Sequence, residues 1–333
     1  MDIDFVVLWV DGCDPAWQAE KAKYSGKRTD DSDSVNRYRD WGLLPYWFRS
    51  IESYAPWVRM IHFVTWGHVP AFLNIENPKL HIVNHKDFIP AEYLPTFSSH
   101  VIELNVHRIP DLSAQFILMN DDTFIIRNMS ESAFFQRGLP CTYGGEVPIH
   151  LSGSIGTWQH AAVNDLGVVN AHFPKRKATA LHRRKYVNSS YRWQDNLRTW
   201  MLEKLYPDYF TGFKNLHAPA AYLKSTFQDV WDAEPEILDS TCRNRFRSNS
   251  DVNQWVMLWW QVASGMFMPH NTDNVVMNAV PDSVGTLCEI IRGQKHDMLC
   301  INDPDGEEDI AGLMAQLKDA FSAILPEKCS FEK

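Results

Sequence analysis

The stretch PTFSSHVIELNVHRIPDLSAQFILMNDDTF, residues 95–124, decides how the rest of the chain is read. Within it, residues 116–119 form a four-residue apolar run, too short for a helix and typical of a strand covered on both faces. The run passes directly into Asn120, Asp121 and Asp122. In open α/β sheets ligands sit beyond the carboxyl ends of the strands, which is where these two carboxylates fall. Adjacent carboxylates there suit a hard cation such as Mg²⁺, which prefers oxygen ligands and brings phosphate oxygens with it. A plain turn is the competing reading, because Asn and Asp hydrogen-bond their own local backbone. Upstream, Ser98 and Ser99 are cap candidates for a helix on which Glu103 and His107, four residues apart, share one face.

Working outward, residues 5–10 read as a first buried strand ending in Asp11-Gly12, by itself a common turn and also a reasonable nucleotide edge. Residues 14–33 are polar and loop-like. Leu44, Trp47, Phe48 and Ile51 then fall at helical spacing, with Pro45 early and a stop at Ala55-Pro56. Residues 60–65 (MIHFVT) and 79–83 (KLHIV) are two further strands. Strands alternating with helices predict an α/β fold around a mostly parallel sheet. No Gly-rich phosphate loop follows the first strand, so a nucleotide would be held through metal and side chains.

From 140 to 216 the sequence is less periodic and more basic, with cationic runs at 175–177 and 182–185. Such runs read as a solvated surface or as an anion site built from guanidinium forks. His217 precedes the next periodic block, and Arg243, Arg245 and Arg247 alternate, so an extended segment would project them to one side as a diphosphate clamp. Ser250 is placed to cap a helix carrying Val252, Trp255, Val256 and Trp259. Residues 300–305 (CINDPD) look like another strand end bearing carboxylates, with Gly306 too early for a calcium loop. The tail places Ile310, Leu313, Met314, Leu317, Phe321 and Ile324 on one helical stripe that packs on the domain, since its other face is not basic enough for a membrane.

Composition bounds the function. With 333 residues, 45% hydrophobic and 22% charged, the chain can build a large core. A net charge of −9 excludes a nucleic-acid binder that works by neutralising phosphates, although a local basic patch remains able to hold anions. The thirteen Trp serve equally as core filler and as platforms for sugar faces. Six Cys without close pairing, an acidic N-terminus and no apolar stretch of spanning length predict a reduced, cytoplasmic protein without a transmembrane segment.

Taken together, residues 2–12 and 36–126, then the blocks HAPAAYLK, FRSNSDVNQW and CINDPD, resemble the four conserved blocks of the Stealth proteins. These are bacterial capsular polysaccharide phosphotransferases, together with the catalytic subunit of animal N-acetylglucosamine-1-phosphotransferase. The resemblance implies a GT-A-like, Rossmann-type sheet flanked by helices, with helical additions. It implies a single catalytic domain over 1–333: 1–130 as the nucleotide-sugar-binding half, 131–215 as a variable insertion open to an acceptor role, and 216–333 as the remaining core with a C-terminal helix. The implied reaction moves a sugar 1-phosphate from a UDP-sugar, either a UDP-N-acetylhexosamine or a UDP-hexose, to a hydroxyl of a growing capsular or exopolysaccharide, releasing UMP. Mg²⁺, with Mn²⁺ as the alternative, would sit on Asp121, Asp122 and Asp303. By the same resemblance His217, Arg247, Asp122 and Asp303 are catalytic.

The substrate is assigned Asp11, Arg39, Glu103, His107, Asn120, Arg245 and Asn302. Animal members carry Asn where this chain has Asp11, which removes Asp11 from the metal set. Histidine is the residue type suited to accept a hydroxyl proton, with a covalent phosphohistidine at His217 as the second option. A glycosyltransferase releasing UDP and a non-catalytic glycan-binding protein are the two rival functions. The expected location is the cytoplasm, with peripheral attachment to the inner face of a bacterial membrane left open.

Overall fold

In the computed structural model, residues 2–25, 38–151, 153, 155–214, 217–303 and 310–333 are described. The first strand, β1 (Ile3–Leu8), is buried over five of its six residues. It is followed by α1 (Pro15–Ser25), so the expected loop over 14–33 is helical in its first part. The reason is local: Asp14 Oδ1 accepts the amide of Trp17 at 2.8 Å, Pro15 opens the helix, and Trp17 is buried against Tyr38 and Phe97. Residues 26–33 of that expected loop lie outside the described residues. α2 (Leu44–Tyr54) buries Leu44, Trp47, Phe48 and Ile51 as their spacing requires.

β2 (Ile61–Thr65) and β3 (Leu80–Asn84) complete one side of the sheet, and α3 (His85–Phe88) closes that edge. α4 (Ser99–Asn105) is shorter than expected and ends in a single tight turn over residues 106–108. Ser98 occupies its N-cap position, but its hydroxyl makes no cap bond. Because the helix stops at Asn105, Glu103 and His107 do not share a face. The His107 ring packs on Phe227 with centroids 5.5 Å apart. Burial, then the charges of Arg108 and Lys224, push its pKa down to about 3.

β4 (Gln115–Asn120) is the strand anticipated from the apolar run, and β5 (Thr123–Ile125) follows after two residues. The short strands β6 (Phe135–Gln136) and β7 (Leu139–Thr142) lead to three helices, α5 (Thr157–His172), α6 (Lys175–Tyr186) and α7 (Trp193–Leu205). The region expected to be aperiodic is therefore mainly helical. Its cationic runs are partly committed inside the fold. Lys175 is buried in an ion pair with Glu146 at 2.6 Å, and Lys185 Nζ donates to the carbonyls of Gly265 and Phe267.

β8 (Ala220–Leu223) returns to the main sheet, whose order is β3-β2-β1-β4-β8. The first four strands are mutually parallel and β8 runs antiparallel to β4. α8 (Lys224–Ala233), α9 (Pro235–Cys242) and α10 (Trp255–Ala263) follow. Ser250 does not cap α10, which starts five residues later; it lies in a turn organised by Asp251 instead. β9 (Met268–Pro269) pairs with β7. β10 (Asn274–Asn278), α11 (Pro281–Gly293) and β11 (Met298–Asn302) build a second small sheet, β10-β11-β5. α12 (Ile310–Ile324) packs its Leu313, Leu317, Ala320 and Phe321 inward, with Phe321 against Phe124 at 4.6 Å. Asp305 and Gly306 lie outside the described residues, and all six cysteines are free thiols.

One buried charge ties the sheet together. Asp4 in β1 has no exposed surface and accepts Arg59 Nε at 2.7 Å, His62 Nε2 at 3.1 Å and the Ser113 amide at 2.7 Å. Burial alone would raise its pKa, but the hydrogen bonds from His62, Arg59 and Ser113 outweigh it and hold the carboxyl below the ordinary 3.8. A depressed folded-state pKa means that the stabilisation is complete above the unfolded value and is lost as pH falls through the folded one. Asp4→Asn should therefore cost about 2 kcal/mol at neutral pH, the worth of charge-assisted hydrogen bonds. In denaturant titrations at a series of pH values, the gap from wild type should close only below pH 3.8; a gap that closes between pH 5 and 7 would contradict this role.

Candidate functional site

The sheet reverses its order of growth between β1 and β4. β2 and β3 extend it from one edge of β1, whereas β4 and β8 extend it from the other. Beyond the carboxyl ends at such a switch the two outgoing loops diverge and leave a crevice. After β1 comes a tight turn in which the Asp11 carboxylate accepts the Cys13 amide at 2.9 Å and the Asp11 amide donates to His68 Nε2 at 2.8 Å. Gly12 is required here, since a Cβ at that position would lie 2.0 Å from the Tyr38 carbonyl oxygen. After β4 come Asn120, Asp121 and Asp122, and the Asp122 carbonyl is held by the Ile301 amide of β11 at 2.9 Å.

Two strand registers then bring distant residues to this point. β8 places Ala220 opposite Leu118, so His217, three residues earlier, arrives at the exit of β4. β11 places Cys300 opposite Thr123, next to Asp122. One donor atom from each of Asp122, His217 and Cys300 lies within 4.8 Å of the others, the group of this kind found among the described residues. His217 is exposed and holds a left-handed φ of +41°, a conformation that costs energy in a residue other than glycine.

The electrostatics are those of crowded acids. Burial, then the charges of Asp122 and Asp40, push the Asp121 carboxyl up to about 8. Burial raises Asp122 as well, opposed by the neighbouring His217 and by the Thr123 hydroxyl, which donates to it at 3.0 Å. Burial and Asp122 push the Cys300 thiol far above its ordinary 9, which keeps it neutral. Within this group the Asp122 carboxylate is the oxygen ligand that a hard cation prefers. Asp303 is not in the convergent group of Asp122, His217 and Cys300; its Oδ1 accepts Arg39 Nη1 at 2.9 Å. Asn302 Nδ2 reaches Asn278 Oδ1 at 3.3 Å.

His217 also borders a solvent-open recess. Its wall includes His100, Glu103, Asn120, Trp158, Arg247 and Trp255, and Asp121, Asp122 and Asp303 are not part of it. The three alternating arginines do not form a row, because residues 243–247 turn instead of extending. Arg243, just past the end of α9, pairs with Asp239 of that helix at 2.7 Å. Arg245 donates to the Pro95 carbonyl at 2.5 Å and lies over the Tyr24 ring. Arg247 alone of the three reaches the recess, steered by a 2.7 Å bond to Ser99 Oγ at the start of α4. His107 is not in the wall.

Sequence reasoning did not single out Cys300, His100, Trp158 or Asp251. Cys300 was detectable in principle, since alternation along a strand puts it on the same side as Asn302. Asp251 is fully buried and accepts His100 Nδ1 at 3.0 Å, Asn244 Nδ2 at 2.8 Å and the Ser248 amide at 2.8 Å, so it pins the loop that carries Arg247 to α4.

The family model described as Stealth protein CR1, conserved region 1, matches residues 1–29, and Stealth protein CR2, conserved region 2, matches residues 37–141. The capsular polysaccharide phosphotransferase WcwK of Streptococcus pneumoniae is 39% identical over 100% of this chain and 99% of its own length. The receptor polysaccharide phosphotransferase WefC of Streptococcus oralis is 36% identical over 99% of both. The exopolysaccharide phosphotransferase cps2G of Lactiplantibacillus plantarum is 34% identical over 100% of this chain and 96% of its own. Among solved structures, the galactosyltransferase LgtC aligns over 98% of each chain at 12% identity with a TM-score of 0.41, a likeness too slight to bear on the fold.

Asp251 is not itself part of the recess wall, but removing it should loosen both Arg247 and the wall residue His100. Asp251→Ala leaves the buried His100 and the half-buried donors of Asn244 and Ser248 without their acceptor, and thermal unfolding should show a loss of about 3 kcal/mol. A loss under about 0.5 kcal/mol, the range of an ordinary surface change, would mean that the loop is held by other contacts.

Proposed function

The chain belongs to the Stealth family, and from that premise we propose that it transfers a sugar 1-phosphate from a UDP-sugar to a hydroxyl of a capsular or exopolysaccharide acceptor, forming a phosphodiester and releasing UMP. The donor class is a UDP-N-acetylhexosamine or a UDP-hexose. The observation that carries this reading is the meeting of paired carboxylates, a histidine and an arginine-lined recess at the switch point of the sheet.

Phosphoryl transfer asks mainly for positioning and for neutralisation of charge around an in-line displacement. The acceptor hydroxyl oxygen bonds to the β-phosphorus, the bond from that phosphorus to the bridging oxygen breaks, and UMP leaves with the electron pair. His217 takes the hydroxyl proton, which its exposure beside the recess permits. Arg247, fixed by Ser99, meets the charge that builds on the equatorial phosphate oxygens. Asp121, Asp122 and Asp303 would hold Mg²⁺ or Mn²⁺, which would supply the positive charge that neutralises the diphosphate. Arg39 sets the position of Asp303. Glu103, with Trp158 and Trp255, gives the recess the mixture of carboxylate and ring faces that sugars require. Because attack falls on phosphorus, the anomeric bond of the sugar stays intact.

Incubation with a panel of UDP-sugars, a divalent cation and a capsule-type oligosaccharide should release UMP only when acceptor is present. Release of UDP would make the protein a glycosyltransferase, and no turnover with tight glycan binding would make it a binding protein. His217→Ala should slow UMP release by about 100-fold or more, the usual share of a general base; near-normal turnover would remove the residue from that role. Asp122→Ala and Asp303→Ala should abolish cation-dependent activity, and survival of that dependence in either would displace the carboxylate from the cation site.

A further inference from the structure

Helix α7 buries little apolar surface: Thr199 and Leu202 are its buried residues. Asp195, Arg198 and Thr199 face the protein: Arg198 Nη1 pairs with Asp195 at 2.8 Å, its Nε donates to the Glu146 carbonyl at 2.9 Å, and Thr199 Oγ1 accepts the Glu146 amide at 3.0 Å. The opposite face carries Trp193, Leu197, Trp200, Met201 and Leu205, all exposed, Trp193 by 70% and Leu205 by 66%. Their spacing of four, three, one and four residues makes one stripe along the helix. Tyr206 and Tyr209, also exposed, extend it past the C-terminus of the helix. A surface helix ordinarily buries its apolar stripe, and a contiguous exposed one of this size marks a surface that meets something else.

Charge identifies the partner. In a chain of net charge −9, residues 175–209 hold nine Lys and Arg against three Asp and Glu. All three acids are already paired, Asp195 with Arg198, Glu203 with Arg183 and Asp208 with Arg176. Among the described residues, the exposed Lys177, Arg184, Arg192 and Lys204 have no acidic partner. Lys204 lies within the apolar stripe itself, where a long stem covers apolar surface and lifts its ammonium outward. Trp and Tyr together with Lys and Arg around an apolar stripe are the residues favoured at the boundary between headgroups and acyl chains of an anionic bilayer. A second copy of the chain would bring the same cations against each other across a two-fold axis.

We propose that the outer face of α7, with Tyr206 and Tyr209, docks in the interface of an anionic membrane. No helix among the described residues is long and apolar enough to cross one, so the attachment lies flat and is reversible. The proposal stands apart from the transfer reaction and is tested without turnover. The full chain is floated with vesicles of equal phosphatidylglycerol and phosphatidylcholine, and with vesicles of phosphatidylcholine alone. The wild type should float with the anionic vesicles and bind at least tenfold less to the neutral ones. The double variant Leu197→Asp, Trp200→Asp should lose at least tenfold on anionic vesicles, and Arg192→Glu with Lys204→Glu should lose the preference for anionic lipid. Both variants should keep the wild-type melting temperature, because their side chains face outward. Wild type that stays at the bottom with anionic vesicles, or a double variant that floats equally well, overturns the proposal. A dimer in sedimentation velocity that the double variant abolishes, without vesicle binding, assigns the face to a second copy instead.

Discussion

β4 is hydrogen-bonded along both of its edges, parallel to β1 on one side and antiparallel to β8 on the other, and the site depends on that double pairing. The parallel partner brings a second carboxyl end, with Asp11 and its turn, alongside the exit of β4. The antiparallel partner begins where β4 ends, so the residues that precede β8 are delivered to the same place. A helix could not serve here, because only a strand fixes two chain ends of opposite direction at one level through a single ladder. β5 then continues from β4 after two residues and recruits β11, which adds Cys300 and the loop bearing Asp303. Asp122 and Cys300, distant in sequence, thus meet through backbone registers rather than through their own side-chain preferences.

That geometry creates electrostatic stress where the chain is most constrained. Asp121 sits between Asp122 and Asp40 in a partly desolvated corner, and its carboxyl rises to about 8 as a result. Neutral acids are what such crowding produces in the absence of compensating positive charge, and folding gains nothing from the arrangement. A left-handed backbone at His217 adds a second cost at the same spot. Strain and desolvated charge at one place are the usual mark of a site selected for chemistry rather than for stability. Asp4, by contrast, shows how the same residue type behaves when it serves the fold: buried, fully paired and depressed in pKa.

How far the sequence revealed this follows from which signals are local. The strands β1 to β4 and helix α2 were legible because apolar runs and spacing report burial directly, and Asn120-Asp121-Asp122 was legible because it adjoins one of those runs. The meeting of His217 and Cys300 with Asp122 was not, since a strand register is set by pairing partners far away in the chain. His107 was misplaced because nothing in the sequence signals that α4 ends after seven residues. α1 was missed although Asp14, Pro15 and buried Trp17 formed a start signal, because its remaining residues are polar. Helices α6 and α7 were also missed. The helical spacing of Trp193, Leu197, Trp200, Met201 and Leu205 was present in the sequence. What spacing does not report is the direction in which a stripe faces, and in α7 it faces outward.

The central claim is that the bond broken lies at the β-phosphorus of the donor, and the fate of that phosphorus tests it most directly. A UDP-sugar labelled with ³²P in its β-phosphate is incubated with the protein, a divalent cation and the oligosaccharide acceptor, and the glycan is separated from nucleotides. Transfer of the label into the glycan, in a linkage that resists phosphatase, is the predicted result. Label that remains entirely in UDP while the sugar enters the glycan would contradict the account and place the attack at the anomeric carbon.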